Sequence, residues 1–291
     1  MFLFKKILPA CLALFLLTQT LVSATSAPKP VIANINGVFI ATDINPFIQS
    51  GRVMIPVRTL ASLGLTYSWD ALTHTATITN LEKDTFTMIQ GKSVAYKNGL
   101  PVQMDSEANN YNGRMMVPAR FVSEAFDYKV YYEKARGILF ISSEDYSPSS
   151  RILEAANLKE ARLAAISIPI TFAFNPDFGK QGDSSPGFYS YSFAADDASR
   201  YTYNDGYAIT VVEINNGAAN AVWQYYTVDI PGYEPTTLGG KKPNNMEGMF
   251  HDFFNYSNGV FYRRTNGSNE IFEYKTQTYG DIIQSIPNTG E

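Results

Sequence analysis

The sequence predicts an α+β fold, in which a duplicated β-β-β-α-β-β unit is followed by a mainly antiparallel β domain with one helix at its N-terminal end. Two observations lead to this prediction. The first half holds two segments of matching sequence, at residues 31–80 and 93–142, each with hairpin, helix and strand signals. The second half, residues 151–291, consists of short apolar or aromatic runs divided by Gly, Asn, Asp and Pro, which is typical of antiparallel strands.

The first 27 residues have the order of a secretory signal peptide. A basic start is followed by an apolar run at residues 7–22 and then by small residues near position 27. The apolar run is interrupted by polar residues and is shorter than the ~20 residues that span a bilayer. We therefore expect a secreted mature chain that begins near Pro28 and has no membrane span.

Composition excludes several classes of function. The single cysteine, Cys11, lies in the signal, so the mature chain has no disulfide, no thiolate metal ligand and no cysteine nucleophile. A formal net charge of −4 provides no excess of basic residues for nucleic acid. Stability must therefore come from packing, and nucleic acid is not an expected partner.

The two matching segments define an internal repeat. Residues 51–58 read GRVMIPVR and residues 113–120 read GRMMVPAR, so five of eight positions are identical 62 residues apart. The same offset relates Asn36-Gly37 to Asn98-Gly99 and Trp69 to Tyr131. A repeat of this length indicates one supersecondary unit that is used twice.

Each repeat is expected to open with a β-hairpin. Asn36-Gly37 and Asn98-Gly99 each lie between alternating apolar runs. Asn-Gly suits the two positive-φ positions of a tight turn. Residues 31–42 and 93–104 are therefore predicted to be paired strands.

A strand, a helix and a closing strand pair complete each unit. Pro56 and Pro118 fit the first turn of a helix, where the missing N–H has no partner to lose. Gly64 fits the left-handed position that ends the first helix, whereas the second repeat has Phe126 there and must end differently. The expected elements are third strands at 53–55 and 115–117, helices at 57–63 and 119–126, and closing pairs at 66–69 with 76–79 and at 129–132 with 138–142.

The order of Asn-Gly hairpin, Gly-Arg-x-Met-Ile/Val-Pro-x-Arg, helix and aromatic strand resembles the copper amine oxidase N-terminal-like domain family, which is common in exported proteins of Gram-positive bacteria. The resemblance covers residues 31–143 and implies a domain at 28–143. The turn-rich stretch at 147–150 places a linker at 144–150. It implies a non-catalytic stalk or spacer. The signature residues are then structural: Gly51, Arg52, Pro56, Arg58, Trp69, Gly113, Arg114, Pro118 and Arg120.

The four signature arginines have two interpretations. Arg58 and Arg120 follow predicted helix starts, where backbone N–H groups favour anions. A guanidinium in the same place in both repeats is more simply explained as fixing the helix to the sheet through carbonyls or a carboxylate, and we expect that structural role. The same expectation applies to Arg52 and Arg114.

The family resemblance does not imply oxidase activity. Copper chemistry in such enzymes requires three histidines and a tyrosine-derived quinone in a separate catalytic domain, whereas this chain has only His74 and His251. Its Asn-Tyr pairs, at 110–111 and 255–256, are followed by Asn112 and Ser257 instead of an acidic residue. We therefore expect no metal, no cofactor and no amine oxidation.

The second half is predicted to begin with an amphipathic helix at 151–166, after the turn-rich residues 147–150. Asn216-Gly217 and Asn266-Gly267 are expected hairpin turns. The candidate strands are 171–174, 187–193, 207–214, 221–230, 259–264 and 270–276.

The tyrosine-rich strands have two interpretations. Their flat amphipathic rings suit sugar faces, so a ligand platform is a hypothesis for Tyr201, Tyr203, Trp223, Tyr225 and Tyr226. Strand alternation also places Tyr189, Tyr191 and Phe193 on one face, which fits a core equally well.

Catalytic signals in the second half are weak. His251-Asp252 has no recognised nucleophile motif to accompany it. Asp177 with Asp183, and Asp196 with Asp197, lack the spacing of a calcium loop. No catalytic or metal-ligating residue is assigned.

Two classes of function remain open. The favoured one is an exported, non-catalytic surface or secreted protein, in which a stalk presents a C-terminal domain to a cell-wall polymer, a glycan or a surface protein. The alternative is an extracellular hydrolase with its site in the C-terminal β domain. Exposed aromatic rings favour binding, and a pocket with paired carboxylates favours catalysis.

Overall fold

The computed structural model describes residues 31–148, 155, 157–178, 189–226, 234–246 and 248–250, and the strands at 252–257, 260–265, 271–275 and 277–278. Strands account for 46% and helices for 12% of the residues, which is compatible with an α+β or mainly β fold. The predicted signal segment, His251 and the Asn266-Gly267 turn lie outside the described residues.

The first half contains thirteen described strands and two short helices. In the first repeat and the segment after it these are β1 (Ile32–Ile35), β2 (Val38–Ala41), β3 (Phe47–Gln49), β4 (Arg52–Pro56), a 3-10 helix (Val57–Leu63), β5 (Thr66–Asp70), β6 (Thr75–Thr79) and β7 (Thr85–Ile89). In the second repeat they are β8 (Val94–Lys97), β9 (Leu100–Gln103), β10 (Asn109–Tyr111), β11 (Arg114–Pro118), α1 (Ala119–Glu124), β12 (Lys129–Glu133) and β13 (Ile138–Ser142).

The predicted opening hairpins are confirmed. Strands β1 and β2 pair antiparallel, as do β8 and β9. Their turns have positive φ at both central residues, 47° and 73° at Asn36-Gly37 and 51° and 80° at Asn98-Gly99. Valine at either glycine would therefore be sterically opposed.

The prediction of three strands before each helix is wrong, because each repeat has four. Strands β3 and β10 form further hairpins with β4 and β11. Their turns, Ser50-Gly51 and Asn112-Gly113, also have positive φ at both positions. The signature glycines Gly51 and Gly113 thus provide turn geometry.

The signature prolines end strands and do not begin helical turns as predicted. Pro56 and Pro118 have extended ψ angles of 128° and 114°, and they are the last residues of β4 and β11. Gly64 ends the first helix with a φ of 78°, as predicted. The second helix is followed by Asp127 with a φ of 61°, one residue beyond the position equivalent to Gly64.

Three sheets organise the first half. The bridging sheet has the order β12-β13-β1-β2 and continues beyond β2 into a strand from the second half of the chain, Gln277–Thr278. The central sheet has the order β10-β11-β4-β3 and the outer sheet β5-β6-β7-β8-β9. The repeats exchange hairpins. The bridging sheet joins the opening hairpin of the first repeat to the closing hairpin of the second. The outer sheet joins the closing hairpin of the first repeat, through β7, to the opening hairpin of the second. In the central sheet Ile55 pairs with its equivalent Val117, flanked by Met54 with Pro118 and Pro56 with Met116. This register is that of a local two-fold axis.

The second half contains one large sheet. Its elements are α2 (Leu158–Ile166), β14 (Ile170–Phe172), β15 (Tyr189–Phe193), β16 (Arg200–Asn204), β17 (Ile209–Asn215), β18 (Ala218–Tyr226), β19 (Thr236–Gly240), β20 (Asp252–Ser257), β21 (Val260–Thr265), β22 (Ile271–Lys275) and β23 (Gln277–Thr278). The large sheet runs β14-β18-β17-β16-β15-β20-β21-β22, and β19 also pairs with β18. Only β14 pairs in parallel within it, so the described pairing is mainly antiparallel, as predicted. The sequence did not predict β16, β19, β20 or β23.

Helix α2 begins at Leu158, later than the predicted residue 151. The Asn157 side chain accepts a hydrogen bond of 3.0 Å from the Glu160 N–H and so caps its first turn. Residues 151–154 lie outside the described residues.

Both faces of the bridging sheet carry buried apolar side chains. One face, including Ile35 and Ile141, packs with the central and outer sheets in a core that contains Phe86. The other face, including Phe39 and Phe140, packs with α2 and one face of the large sheet. Both halves of the chain therefore meet through close-packed apolar side chains.

Candidate functional site

Two signature arginines form reciprocal ion pairs between the repeats. The Arg52 Nε lies 2.7 Å from an Asp105 carboxylate oxygen, and the Arg114 Nε lies 2.5 Å from an oxygen of Asp43. Asp43 and Asp105 are also 62 residues apart, so each repeat contributes an arginine to one pair and an aspartate to the other. These ion pairs link the two repeats, whereas the role expected of the arginines was to fix the helix to the sheet. The sequence analysis missed both aspartates, although the repeat offset identifies them.

The other signature arginines differ from each other. Arg120 is exposed and lies 3.9 Å from Glu124 on the same helix. The prediction that it fixes the helix to the sheet is therefore wrong. Arg58 is half-buried, and Trp69 packs against the first core beside the ring of His74.

A buried ion pair connects the two halves of the chain. The Arg136 guanidinium donates to both carboxylate oxygens of Glu133, at 2.5 and 2.6 Å. It also donates to the carbonyls of Ile166 and Ile168, at 2.7 and 2.8 Å, and the Glu133 carboxylate accepts from the N–H of Ile170 at 2.8 Å. Burial is the largest single effect and opposes the charge of Arg136, but the Glu133 carboxylate together with Tyr201 and Tyr191 outweighs it and raises the arginine pKa well above its usual value. The turn between β12 and β13 is thereby bonded to the end of α2 and the start of β14.

Three tyrosines of the large sheet surround this pair. Tyr191 has its ring centroid 5.9 Å from that of Tyr201 and 5.3 Å from that of Tyr203. Burial raises the pKa of Tyr191 to about 12 and raises the pKa values of the other two further. Tyr201 and Tyr203 are 0% exposed, so assigning them to a ligand platform is wrong. Helix α2 and the bridging sheet cover their face of the large sheet.

Trp223 and Tyr225 lie on the opposite face of the large sheet. Their rings stack with centroids 4.0 Å apart, and both residues are almost fully buried. The Trp223 indole N–H donates to the Thr237 hydroxyl at 3.0 Å, and the Lys242 ammonium lies 5.7 Å from the indole centroid. The five predicted aromatics therefore do not form one exposed row.

Tyr226 is the exception, because 37% of its surface is exposed. Its ring centroid lies 5.5 Å from that of the half-buried Tyr207, with the ring planes inclined by 32°. The Tyr207 hydroxyl donates to the exposed carboxylate of Asp177, and the charge of Asp177 is the main cause of a raised Tyr207 pKa. We call Asp177, Tyr207 and Tyr226 the aromatic edge.

Neighbouring residues hold the aromatic edge in place. The Asp205 carboxylate accepts from the N–H groups of Tyr207 and Ala208, at 2.9 and 2.7 Å. The side-chain oxygen of Gln224, which is fully buried, accepts from the N–H of Asp177 at 2.7 Å. The sequence analysis identified Tyr226 but missed its partners, because the three residues lie on separate segments.

In the described part of the chain, no three side chains of His, Cys, Asp or Glu converge to hold a metal ion. None of the described helices combines the length and apolar character needed to cross a bilayer.

The chain was compared with protein families and with curated proteins. No curated protein matches it. Residues 34–141 match the family model of the copper amine oxidase N-terminal domain, within the range of the resemblance at 31–143. The predicted family is thus confirmed for this part of the chain.

Proposed function

We propose that the protein is an exported, non-catalytic surface protein. In this proposal its copper amine oxidase N-terminal domain is a duplicated stalk, and its C-terminal sheet binds a cell-wall polymer or glycan at the aromatic edge. The observation that carries the proposal is the exposed pair of Tyr207 and Tyr226 with the Asp177 carboxylate beside it. Adjacent aromatic rings offer flat apolar area to sugar faces, and a carboxylate accepts hydrogen bonds from sugar hydroxyls.

The connection between the two halves supports a stalk role. A stalk is effective when it holds the binding surface in a fixed orientation, because ordering that surface on binding would cost affinity. The bridging sheet contributes to both cores, and the Glu133–Arg136 pair bonds one half to the other. The aromatic edge thus lies on a sheet that is packed against the N-terminal domain.

The hydrolase alternative has less support. Catalysis by paired carboxylates needs two acidic groups that face the substrate. Two aspartates raise the pKa of Tyr207. Asp205 is buried and accepts hydrogen bonds from two backbone N–H groups, so its role is to stabilise the turn. Of the described carboxylates that act on the pKa of Tyr207, only that of Asp177 is exposed.

Copper-dependent oxidation also has less support. His74 is exposed at a turn, and its ring centroid lies 6.1 Å from that of Trp69. The only other imidazole of the chain, His251, lies outside the described residues. The described side chains near His74 therefore do not provide the several nitrogen ligands that copper prefers. Calorimetry with Cu(II) should show no tight stoichiometric site, and such a site lost on His74→Ala would contradict this expectation.

The binding proposal can be tested by co-sedimentation. The mature protein, residues 28–291, is mixed with insoluble cell-wall polymer, and the bound fraction is compared with that of Tyr226→Ala. A central aromatic contact contributes at least ~1 kcal/mol, so the variant should bind at least about fivefold more weakly. Tyr131→Ala is the matched control, because Tyr131 is a 50% exposed tyrosine on the bridging sheet.

The proposal fails if the wild-type protein does not sediment with any wall polymer or glycan. Equal losses in Tyr226→Ala and Tyr131→Ala would also contradict it, since they would indicate a general effect of removing exposed rings. Unchanged melting temperatures for both variants exclude misfolding as the cause of a loss.

Export is tested separately. The basic, apolar and small-residue order of the N-terminal segment leads us to expect a mature protein outside the cytoplasmic membrane, beginning near Pro28. N-terminal sequencing of the extracellular fraction should return that start. A chain that begins at Met1 would contradict the expectation.

A further inference from the structure

The aromatic edge is an electronegative surface as well as an aromatic one. The faces of tyrosine rings carry the negative part of the ring quadrupole, and here two rings lie within 5.5 Å of each other. The exposed carboxylate of Asp177 bonds to one of them, and Asp205 also contributes to the raised pKa of Tyr207. The charges and π faces at this place therefore favour a cation.

The same half of the chain already uses cations in this way. The Arg162 guanidinium lies 5.3 Å from the centroid of Phe193, and the Lys242 ammonium lies 5.7 Å from that of Trp223. These distances are within the ~6 Å range of a cation–π contact. In those two contacts a side chain of the protein provides the cation.

Tyr207 and Tyr226 differ from those rings. Between described residues, the cations of the chain lie over Phe140, Phe193 and Trp223, and none lies over these tyrosines. Tyr226 is also exposed, whereas Phe193 and Trp223 are buried. Among the described residues no cation occupies these two rings, so a cation supplied by a ligand can contact them.

We propose that the aromatic edge recognises an ammonium group, and that its ligand is a glycan with free amines, that is, a polymer of non-acetylated amino sugars. In the complex the ammonium group lies against the rings of Tyr207 and Tyr226 and pairs with the carboxylate of Asp177. The sugar ring that carries the amine supplies the apolar contact. This inference rests on the proposed glycan binding and deepens it, because it names the chemical class of the ligand.

N-acetylation provides the direct test, since it removes the charge and leaves the sugar backbone intact. Binding of the mature protein to glucosamine oligosaccharides and to N-acetylglucosamine oligosaccharides of equal length is measured by calorimetry at about 0.15 M salt, where long-range attraction is largely screened. The free-amine ligand should bind about tenfold more tightly. Tyr226→Ala and Asp177→Asn should each remove most of that preference, and Tyr226→Phe should retain it because the ring remains.

A matched control guards against non-specific attraction of a cationic ligand to a chain of net charge −4. Asp145→Asn removes an exposed carboxylate from the other half of the chain and should leave both affinities unchanged. Equal loss in Asp145→Asn and Asp177→Asn would overturn the inference, as would a free-amine preference that survives Tyr226→Ala and Asp177→Asn.

Failure of this inference is distinguishable from failure of the proposed function. Equal binding of the two ligands, with loss in Tyr226→Ala, would overturn ammonium recognition and leave glycan binding standing. Failure to bind either oligosaccharide, with co-sedimentation on wall polymer intact, would have the same meaning. Failure in both assays would overturn the proposed function together with the inference.

Discussion

Replacing Arg136 with methionine should destabilise both halves of the chain together. Methionine fills much of the volume of the arginine stem but donates no hydrogen bond. Arg136→Met removes two bonds to the Glu133 carboxylate and one to each of the carbonyls of Ile166 and Ile168. Of the described hydrogen bonds to this carboxylate, only that from the N–H of Ile170 remains.

The expected cost follows from the burial of the pair. The Arg136 side chain is 0% and the Glu133 side chain 2% exposed, so the remaining carboxylate is uncompensated and out of contact with water. Removing one partner of such a pair costs about 3–5 kcal/mol, a large part of the roughly 5–15 kcal/mol by which a domain is stable. Arg120→Met is the matched control. Arg120 is 73% exposed, so the control should stay within about 0.5 kcal/mol of wild type.

The two tryptophans of the chain report on the two halves separately. Trp69 lies in β5 of the first half and Trp223 in β18 of the second, so Trp223→Phe and Trp69→Phe each leave one fluorescent reporter. Urea unfolding of both single-tryptophan proteins should give coincident transitions, because the bridging sheet belongs to both cores. Adding Arg136→Met should lower both midpoints.

Two results would refute this reasoning. A shift in the Trp223 transition with the Trp69 transition unchanged would mean that the halves unfold independently. A loss below about 1 kcal/mol in Arg136→Met would mean that the pair lacks the energetic role that its burial implies.

Three further predictions concern the cores and turns. Burial raises the pKa of Tyr191 to about 12 from 10.0. The stability that the neutral Tyr191 side chain contributes is therefore complete below pH 10 and is lost as the pH rises toward 12. The urea midpoint should fall over this range, and less steeply in Tyr191→Phe. Gly240→Ala should lower stability more than Gly51→Ala. Both glycines have positive φ, but only a Cβ at position 240 would lie 2.2 Å from a carbonyl oxygen of β18. Equal losses in melting temperature would contradict this contact. Gly37→Val should cost over ~1 kcal/mol and Pro56→Ala less, since only the valine occupies a left-handed position; the reverse order in urea unfolding would show that the turn is wrongly assigned.

Local signals were sufficient for much of the first half. The Asn-Gly turns, the repeat offset and Gly64 predicted hairpins, a doubled pattern and a helix end that the structure contains. The sequence analysis missed β3 and β10 because these strands have three residues each, too few to show alternation. Ser50-Gly51 and Asn112-Gly113 were the available signals for their turns.

The location of the exposed aromatics was beyond the reach of strand patterns. Alternation places Tyr201 and Tyr203 on one face, but whether that face meets solvent depends on α2 and the bridging sheet, which come from elsewhere in the chain. One signal was available: residues 138–141 read Ile-Leu-Phe-Ile without alternation, as in a strand buried on both faces, whereas β6 alternates. The aromatic edge was missed because Asp177, Tyr207 and Tyr226 meet only in the folded chain.

The exchange of hairpins between the repeats sets the smallest unit that can be moved to another protein. A chain cut after β7 would separate β1 and β2 from β12 and β13, and β5 and β6 from β8 and β9. Arg52 would also lose the carboxylate of Asp105, and Asp43 would lose the guanidinium of Arg114. A lone repeat could regain these partners by associating with a second copy of itself about the axis that passes between Ile55 and Val117. A single repeat transplanted into a new context should therefore form a two-fold dimer, and the natural tandem is that dimer with its two subunits covalently joined.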